Sequence, residues 1–199
     1  QTCAPSVPYR ETISGKAEGH ARHKKQSGGA GQFGEVYLRV EPLARGEGFQ
    51  FVDEVKGGAI PFNFIPAVEK GAREVLTQGF IAGYPMQDIK VTVYDGKSHP
   101  VDSKEVAFVA AGRKAMLDAL AKASPTLLEP IAKLTITAPT VTLGDIAGDL
   151  ASRRGQVLNT VATSSTSMDI LATVPLAEMD FYPARLNAKT HGAAVYTFE

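Results

Sequence analysis

The sequence predicts an α+β fold made of two domains, and three observations support this prediction. Stretches in which polar and apolar residues alternate, typical of strands, are interleaved with segments of helical periodicity. The length of 199 residues suffices for one or two domains. A shift in composition at Ser124–Pro130 separates a first part of net charge +2 from a second part of net charge −2. We therefore expect one domain at 1–124 and another at 125–199.

The first part contains three segments with strand character. Alternation predicts strands at Gly34–Val40, Phe49–Val52 and Ile89–Tyr94. The dipeptide Asp95–Gly96 is a turn signal and is expected to end the last of these strands.

Two helices are expected in the same part. The first ends at Gly79, a typical C-cap residue, and its apolar face is formed by Ile65, Val68, Ala72, Val75 and Leu76. The second has its interior at Val106–Leu120. Asp102 and Glu105 are spaced like a capping pair at its start, and Pro125 closes it.

The second part alternates strands and helices in a recognisable order. The expected elements are strand Ile131–Ala138, helix Leu143–Arg154 capped by Gly155, strand Gln156–Ala162, strand Met168–Val174, helix Glu178–His191 and strand Ala194–Phe198. This βαββαβ order predicts a ferredoxin-like domain.

Composition excludes several classes of protein. With 21 basic and 21 acidic residues, the chain is not a polybasic nucleic-acid-binding protein, although a local basic patch remains possible. The single cysteine, Cys3, excludes a disulfide framework and suits a reducing cytoplasm. No apolar run approaches the roughly 20 residues of a membrane helix. Because Gln1 is not an initiator methionine, we expect the chain to be cut from a longer protein.

Two glycine motifs suggest nucleotide binding but lack its context. Gly29–Gly34 matches G-x-G-x-x-G, yet a strand rather than a helix is expected after it, which argues against a dinucleotide site. Gly96–Ser98 matches the end of a P-loop, but Val91 stands where the first glycine is needed. We therefore expect no nucleoside triphosphate site and no enzymatic activity in this chain. The loop Ser27–Gln32 is either a flexible hairpin end or one that enters a narrow RNA groove.

Histidines and basic residues leave further alternatives. The run His20–Lys25 offers too few ligands for a metal site, and it is either a solvated strand face or a set of phosphate contacts. His99 lies near Ser98 and Asp102 but lacks the surroundings of a nucleophilic triad, and it can instead stack on a base or donate to a phosphate. The pair Arg153–Arg154 either complements a helix dipole or contacts RNA.

Motifs along nearly the whole chain resemble one family. They are His23–Gly34, Gly57–Pro61, Phe64–Gly71, Ala82–Pro85, Tyr94–Glu105, Leu127–Ile131, Gly144–Asp145 with Gly148–Leu150, Arg153–Gly155 and Val174–Met179. In this order they resemble domains IV and V of bacterial elongation factor G. The resemblance implies that the first domain is like the second domain of a small-subunit ribosomal protein.

The resemblance also implies a function. The chain would be the ribosome-engaging arm of a translational GTPase that promotes tRNA–mRNA translocation. Its partners would be ribosomal RNA, tRNA and mRNA, and GTP and Mg would bind elsewhere in the parent protein. We expect a monomer. The residues expected to contact RNA are Lys24, Lys25, Gln26, Ser27, Gly28, Gly29, Ala30, Gly31 and Gln32 in the first tip loop, Asp95, Gly96, Lys97, Ser98, His99 and Pro100 in the second, and Arg153 and Arg154.

Several positions depart from the family pattern. Ala30, Asn187 and Ala193 stand where arginine is usual, and Ser98 stands where tyrosine is usual. Pro183 is expected to interrupt the last helix. These departures resemble those of elongation-factor-G-like paralogues, which bind ribosomes for recycling, protection or stress control. A paralogue with weak translocase activity is therefore the alternative.

Overall fold

The computed structural model describes residues 7–26 and 31–199. The chain forms two compact units. The first unit is Tyr9–Leu128, and the second is Glu129–Glu199 together with Val7 and Pro8. Both mix helices and strands, as the sequence predicts.

Besides a short 3₁₀ helix at Phe62–Phe64, the first unit contains six strands and two α-helices among its described residues. They are β1 Arg10–Ile13, β2 Ala17–Lys25, β3 Gln32–Pro42, β4 Phe49–Asp53, α1 Ile65–Gln78, β5 Ile89–Lys97, α2 Glu105–Lys122 and β6 Pro125–Leu128. Four strands form a sheet in the order β2-β3-β5-β4, with β4 and β5 parallel and the other pairs antiparallel. Strand β1 pairs with β6 in a separate antiparallel ribbon.

Helix α2 packs against β2 and β3, and α1 packs against α2. Core side chains occupy alternate positions of β3 and β5, and they share one core with the apolar faces of the helices. They are Val36, Leu38 and Val40 in β3 and Ile89, Val91 and Val93 in β5. The two helices approach closely at two glycines. A Cβ on Gly71 would lie 2.2 Å from the carbonyl oxygen of Val109, and one on Gly112 would lie 2.7 Å from that of Val68. The helix spacing therefore depends on the absence of side chains at these positions.

Strands β1 and β6 were not predicted from the sequence, and two further details of the first unit differ from expectation. Strand β5 does not end at Asp95–Gly96 but continues to Lys97, because these residues pair with Tyr37, Val36 and Glu35 of β3. Pairing with a neighbouring strand thus overrides the local turn signal. The N-cap of α2 is Lys104 and no side chain caps the helix, so the capping role expected for Asp102 is wrong.

Besides short 3₁₀ helices at Thr140–Thr142 and Leu176–Glu178, the described part of the second unit is a four-stranded antiparallel sheet with two α-helices. Its elements are β7 Ile131–Pro139, α3 Leu143–Ser152, β8 Gln156–Ala162, β9 Ser167–Pro175, α4 Tyr182–Thr190 and β10 Val195–Phe198. The strand order β10-β7-β9-β8 confirms the ferredoxin-like βαββαβ prediction. Its core combines residues of β7 and β9 with α3 and α4.

Two helix ends in the second unit also differ from expectation. Helix α3 ends at Ser152, and Arg154, with φ of 58°, takes the left-handed conformation expected of Gly155. Helix α4 begins at Tyr182, so Pro183 lies in its first turn and does not interrupt it. Proline is favourable there because first-turn N–H groups lack partners within the helix.

Within the part of the chain that the structure describes, no helix combines the length and the apolar composition needed to cross a membrane.

Candidate RNA-binding site

In the sequence, the first tip loop lies between β2 and β3, which form an antiparallel hairpin. These strands pair from Ala17 opposite Val40 to Lys25 opposite Gln32. Lys24, Lys25 and Gln26 are therefore at the end of the hairpin, and all three are exposed. The predicted contacts Ser27, Gly28, Gly29 and Ala30 lie outside the described residues. Gly31 and Gln32 lie where the hairpin re-enters β3.

The second tip loop, Asp95–Pro100, overlaps the last three residues of β5. Asp95 and Lys97 are exposed, whereas Gly96 faces Glu35 and Ile60 so closely that a Cβ would lie 2.4 Å from the Glu35 carbonyl oxygen. Gly96 is thus required for packing. Since α2 begins only at Glu105, the Gly96–Ser98 motif does not lead into a helix N-terminus and does not fit a triphosphate.

The residues that follow form a turn at 98–104, which we call the second loop. Ser98 is half-buried, and His99 and Pro100 are exposed. The backbone N–H of Phe33 in β3 donates to the carbonyl of Asp102 at 2.8 Å. This bond joins the second loop to the base of the hairpin. The structure therefore brings together the two segments that the sequence predicts to be one site.

A cleft of about 230 Å³ lies between the hairpin end and the second loop. Its lining residues are Arg22, Lys24, Lys25, Gln26, Gln32, Phe33, His99 and Asp102. Three of these side chains are cationic and one is a carboxylate, so the cleft carries a net positive charge. Side-chain amides and an imidazole add hydrogen-bonding groups. This combination suits a phosphate group of a nucleic acid.

Arg22 was considered only as part of the basic run His20–Lys25 and was not named among the tip-loop contacts. Its guanidinium lies 5.2 Å from the centre of the Phe33 ring, and the Phe33 ring centre lies 6.2 Å from that of His99. Strand alternation could have identified it, because Arg22 and Lys24 are two positions apart and share one face of β2.

The two histidines of the basic run, His20 and His23, make contacts across the hairpin. His20 Nε2 lies 2.8 Å from a carboxylate oxygen of Glu35, and the His20 ring stacks on Tyr37 with ring centres 4.1 Å apart. His23 Nε2 lies 3.0 Å from the side-chain oxygen of Gln32. Among the described residues, no three His, Cys, Asp or Glu side chains are grouped to hold a metal ion.

Arg153 is buried, with 8% of its surface exposed. Its Nε donates to Asp149 at 3.1 Å, and its Nη1 donates to the backbone carbonyls of Glu178 and Asp180. The guanidinium thus fastens the segment before α4 to α3. Because the side chain is buried and its Nε and Nη1 groups donate inside the second unit, Arg153 offers RNA little surface, and a contact between Arg153 and RNA stays a prediction.

Arg154 is exposed but paired with two carboxylates. Its guanidinium donates to both oxygens of Glu129, at 2.7 and 3.1 Å, and to Glu178 at 3.1 Å. Hydrogen bonds to Glu129 and then to Glu178 raise the pKa of Arg154. The positive charge is largely neutralised by these partners, so an RNA phosphate would compete with two carboxylates. A contact between Arg154 and RNA stays a prediction.

By fold, the chain belongs to a class of two-domain modules in which a mixed α+β unit is followed by a ferredoxin-like unit. Comparison with known proteins names the class. The family model described as elongation factor G, domain IV, matches residues 5–124, and the one described as elongation factor G C-terminus matches residues 126–199. The chain therefore belongs to the elongation factor G family.

A solved structure is similar to nearly the whole chain. A crystal structure of a protein from Thermus thermophilus is similar to this chain with a TM-score of 0.87 and 42% sequence identity. The match covers 98% of this chain and 29% of that chain. The chain thus spans less than a third of the length of this relative.

Proposed function

We propose that this chain is the ribosome-engaging arm of a translational GTPase that promotes movement of tRNA and mRNA through the ribosome. The observation that carries the proposal is the cationic cleft at the hairpin end of the unit that matches elongation factor G domain IV. GTP and Mg²⁺ belong, in this proposal, to parts of the parent protein outside the chain. The setting would be the cytoplasm.

The proposed role is mechanical. Lys24 and Lys25 contact RNA phosphates, which fix the position of the arm without reading sequence. His99 adds a hydrogen bond to the RNA beside the vacated decoding site. GTP hydrolysis in the parent protein drives or gates a rotation, and the arm prevents the tRNA–mRNA pair from slipping back.

A specific observation favours a second candidate, a paralogue that binds ribosomes with weak translocase activity. Arg153 is buried and Arg154 is paired with two carboxylates, so the second unit offers RNA little of the charge that the sequence suggests. Ala30 and Ser98 replace an arginine and a tyrosine that are usual in the family. Fewer cations mean weaker, less salt-dependent binding to RNA.

Single-round translocation with the full-length parent protein tests the first candidate. Loss of one hydrogen bond, about 0.5–1.5 kcal/mol, predicts that His99→Ala slows translocation about two- to tenfold. Ribosome-stimulated GTP hydrolysis should stay nearly unchanged. Lys114→Ala, which removes an exposed cation on α2, is the matched control. Equal loss of both activities in His99→Ala would refute the assignment of His99.

The same assay separates the two candidates. Advancement by one codon at the rate of a standard factor supports the translocase. GTP hydrolysis without advancement supports the paralogue, and Ala30→Arg should then raise the translocation rate if the missing cation is the cause.

A further inference from the structure

The two ring nitrogens of His99 have different surroundings. The backbone N–H groups of Val101 and Asp102 donate to Nδ1 at 3.3 and 3.2 Å. A nitrogen that accepts hydrogen bonds presents its lone pair, so the proton of the neutral ring is on Nε2. Half of the side chain is exposed. The neutral ring therefore keeps its N–H group available as a donor.

Ser103 holds the backbone on which this arrangement depends. Its Oγ accepts a hydrogen bond from the backbone N–H of His99 at 2.8 Å and donates to the carbonyl of Phe33 at 3.1 Å. Its own backbone N–H donates to the carbonyl of His99 at 3.2 Å. These bonds close the turn around His99 and attach it to the start of β3.

Asp102 contacts both His99 in the second loop and Gly31 at the base of the hairpin. Its Oδ2 lies 3.6 Å from Nδ1 of His99, and its carboxylate packs so closely on Gly31 that a Cβ there would lie 2.7 Å from Oδ1. Its carbonyl accepts the Phe33 N–H bond described above. The turn that carries His99 is thus fastened to the hairpin at Phe33 and packed against Gly31.

We propose that Ser103 is a positioning residue that holds His99 in the Nε2–H form, so that the ring donates a hydrogen bond to an oxygen of the RNA backbone. The inference rests on the proposed function, because it specifies how the tip would meet RNA. Ser103 itself does not contact RNA. It acts through the backbone that presents the imidazole.

Nitrogen NMR of the histidine-labelled 199-residue chain tests the positioning, at a pH where His99 is neutral. The wild-type chain should show Nε2 protonated and Nδ1 unprotonated. Ser103→Ala should give averaged shifts of two exchanging tautomers, and Ser103→Thr, which keeps the hydroxyl, should restore the wild-type pattern. Ser14→Ala is the matched control, because Ser14 Oγ makes a similar bond to the carbonyl of Ser124 at 3.1 Å. Wild-type shifts in Ser103→Ala, or Nδ1–H in the wild type, would overturn the inference.

Translocation rates of the full-length parent protein test the positioning role of Ser103 and the RNA-binding role of the tip separately. We expect Ser103→Ala to slow translocation about two- to tenfold, like His99→Ala, with no further loss in the double variant. If His99→Ala slows translocation and Ser103→Ala does not, the inference fails and the proposed function stands. If His99→Ala has no effect, the proposed role of the tip fails first.

Discussion

Glu11 provides the sharpest test of how the first unit is held together. It lies in β1, and its side chain is fully buried. One carboxylate oxygen accepts the backbone N–H groups of Phe80 and Ile81 at 2.6 and 2.8 Å, and the other accepts those of Ala82 and Tyr84 at 2.8 and 3.1 Å. The carboxylate thus organises the loop that follows α1.

These contacts determine the ionisation of Glu11. Burial by itself raises the pKa of a carboxyl group, but the four N–H bonds outweigh it and hold the pKa of Glu11 below its usual value. Because the folded pKa is depressed, the stabilisation is complete above the unfolded pKa of about 4.3 and is lost as pH falls through the folded pKa.

We predict that Glu11→Gln destabilises the first unit by about 2–6 kcal/mol. The amide keeps one oxygen, so two of the four N–H groups lose their acceptor, and each buried unpaired donor costs about 1–3 kcal/mol. This is a large share of the stability of a typical domain, about 5–15 kcal/mol.

Two measurements test the destabilisation by Glu11→Gln. Urea unfolding followed by circular dichroism gives the free energy of unfolding. Hydrogen exchange reports the local protection of the four amides that Glu11 binds, those of Phe80, Ile81, Ala82 and Tyr84. The wild type should lose stability as pH falls below about 4.3, the unfolded pKa, and Glu11→Gln should lose less over that acidic range. Glu105→Gln, at an exposed carboxylate on α2, is the control, with an effect of at most about 1 kcal/mol. Equal effects of the two substitutions would refute the reasoning.

Two further predictions concern the cores of the units. Gly71→Ala should destabilise the first unit by about 1–3 kcal/mol or more, because its Cβ would lie 2.2 Å from the Val109 carbonyl oxygen. Thermal unfolding measures this effect, and Gly148→Ala is the control. A Cβ at Gly148 would meet no atom within 4 Å, so this substitution should raise the free energy of unfolding by up to about 1 kcal/mol. Destabilisation by both substitutions would contradict the packing argument. In the second unit, burial and then Asp149 raise the pKa of Tyr182 to about 12, so stability should fall as pH rises from about 10 towards 12. No described group forms a hydrogen bond with the buried Tyr182 hydroxyl, so Tyr182→Phe should remove this alkaline loss of stability without destabilising the unit near neutral pH. Unfolding measured at increasing pH, with Tyr196→Phe as the control, tests this. A loss of stability at neutral pH in Tyr182→Phe would contradict the prediction.

The candidate site was only partly visible in the sequence. The basic run and the second tip loop are contiguous motifs, so both could be found by reading along the chain. Ser103 was not identified, because its importance comes from a bond to Phe33, which is 70 residues away. The burial of Arg153 was not predicted, because a pair of adjacent arginines gives no sign of which one is buried.

The sequence by itself determined most of the strands and helices, the ferredoxin-like pattern of the second unit and the resemblance to elongation factor G, but not strands β1 and β6 of the first unit. These follow from local periodicity and from contiguous motifs. The tertiary structure decided where β5 ends, which arginine is buried, and which groups hold Glu11 and His99. The physical reason is that pairing, burial and hydrogen bonding depend on segments far apart in the chain, such as Glu11 and Tyr84, which are 73 residues apart.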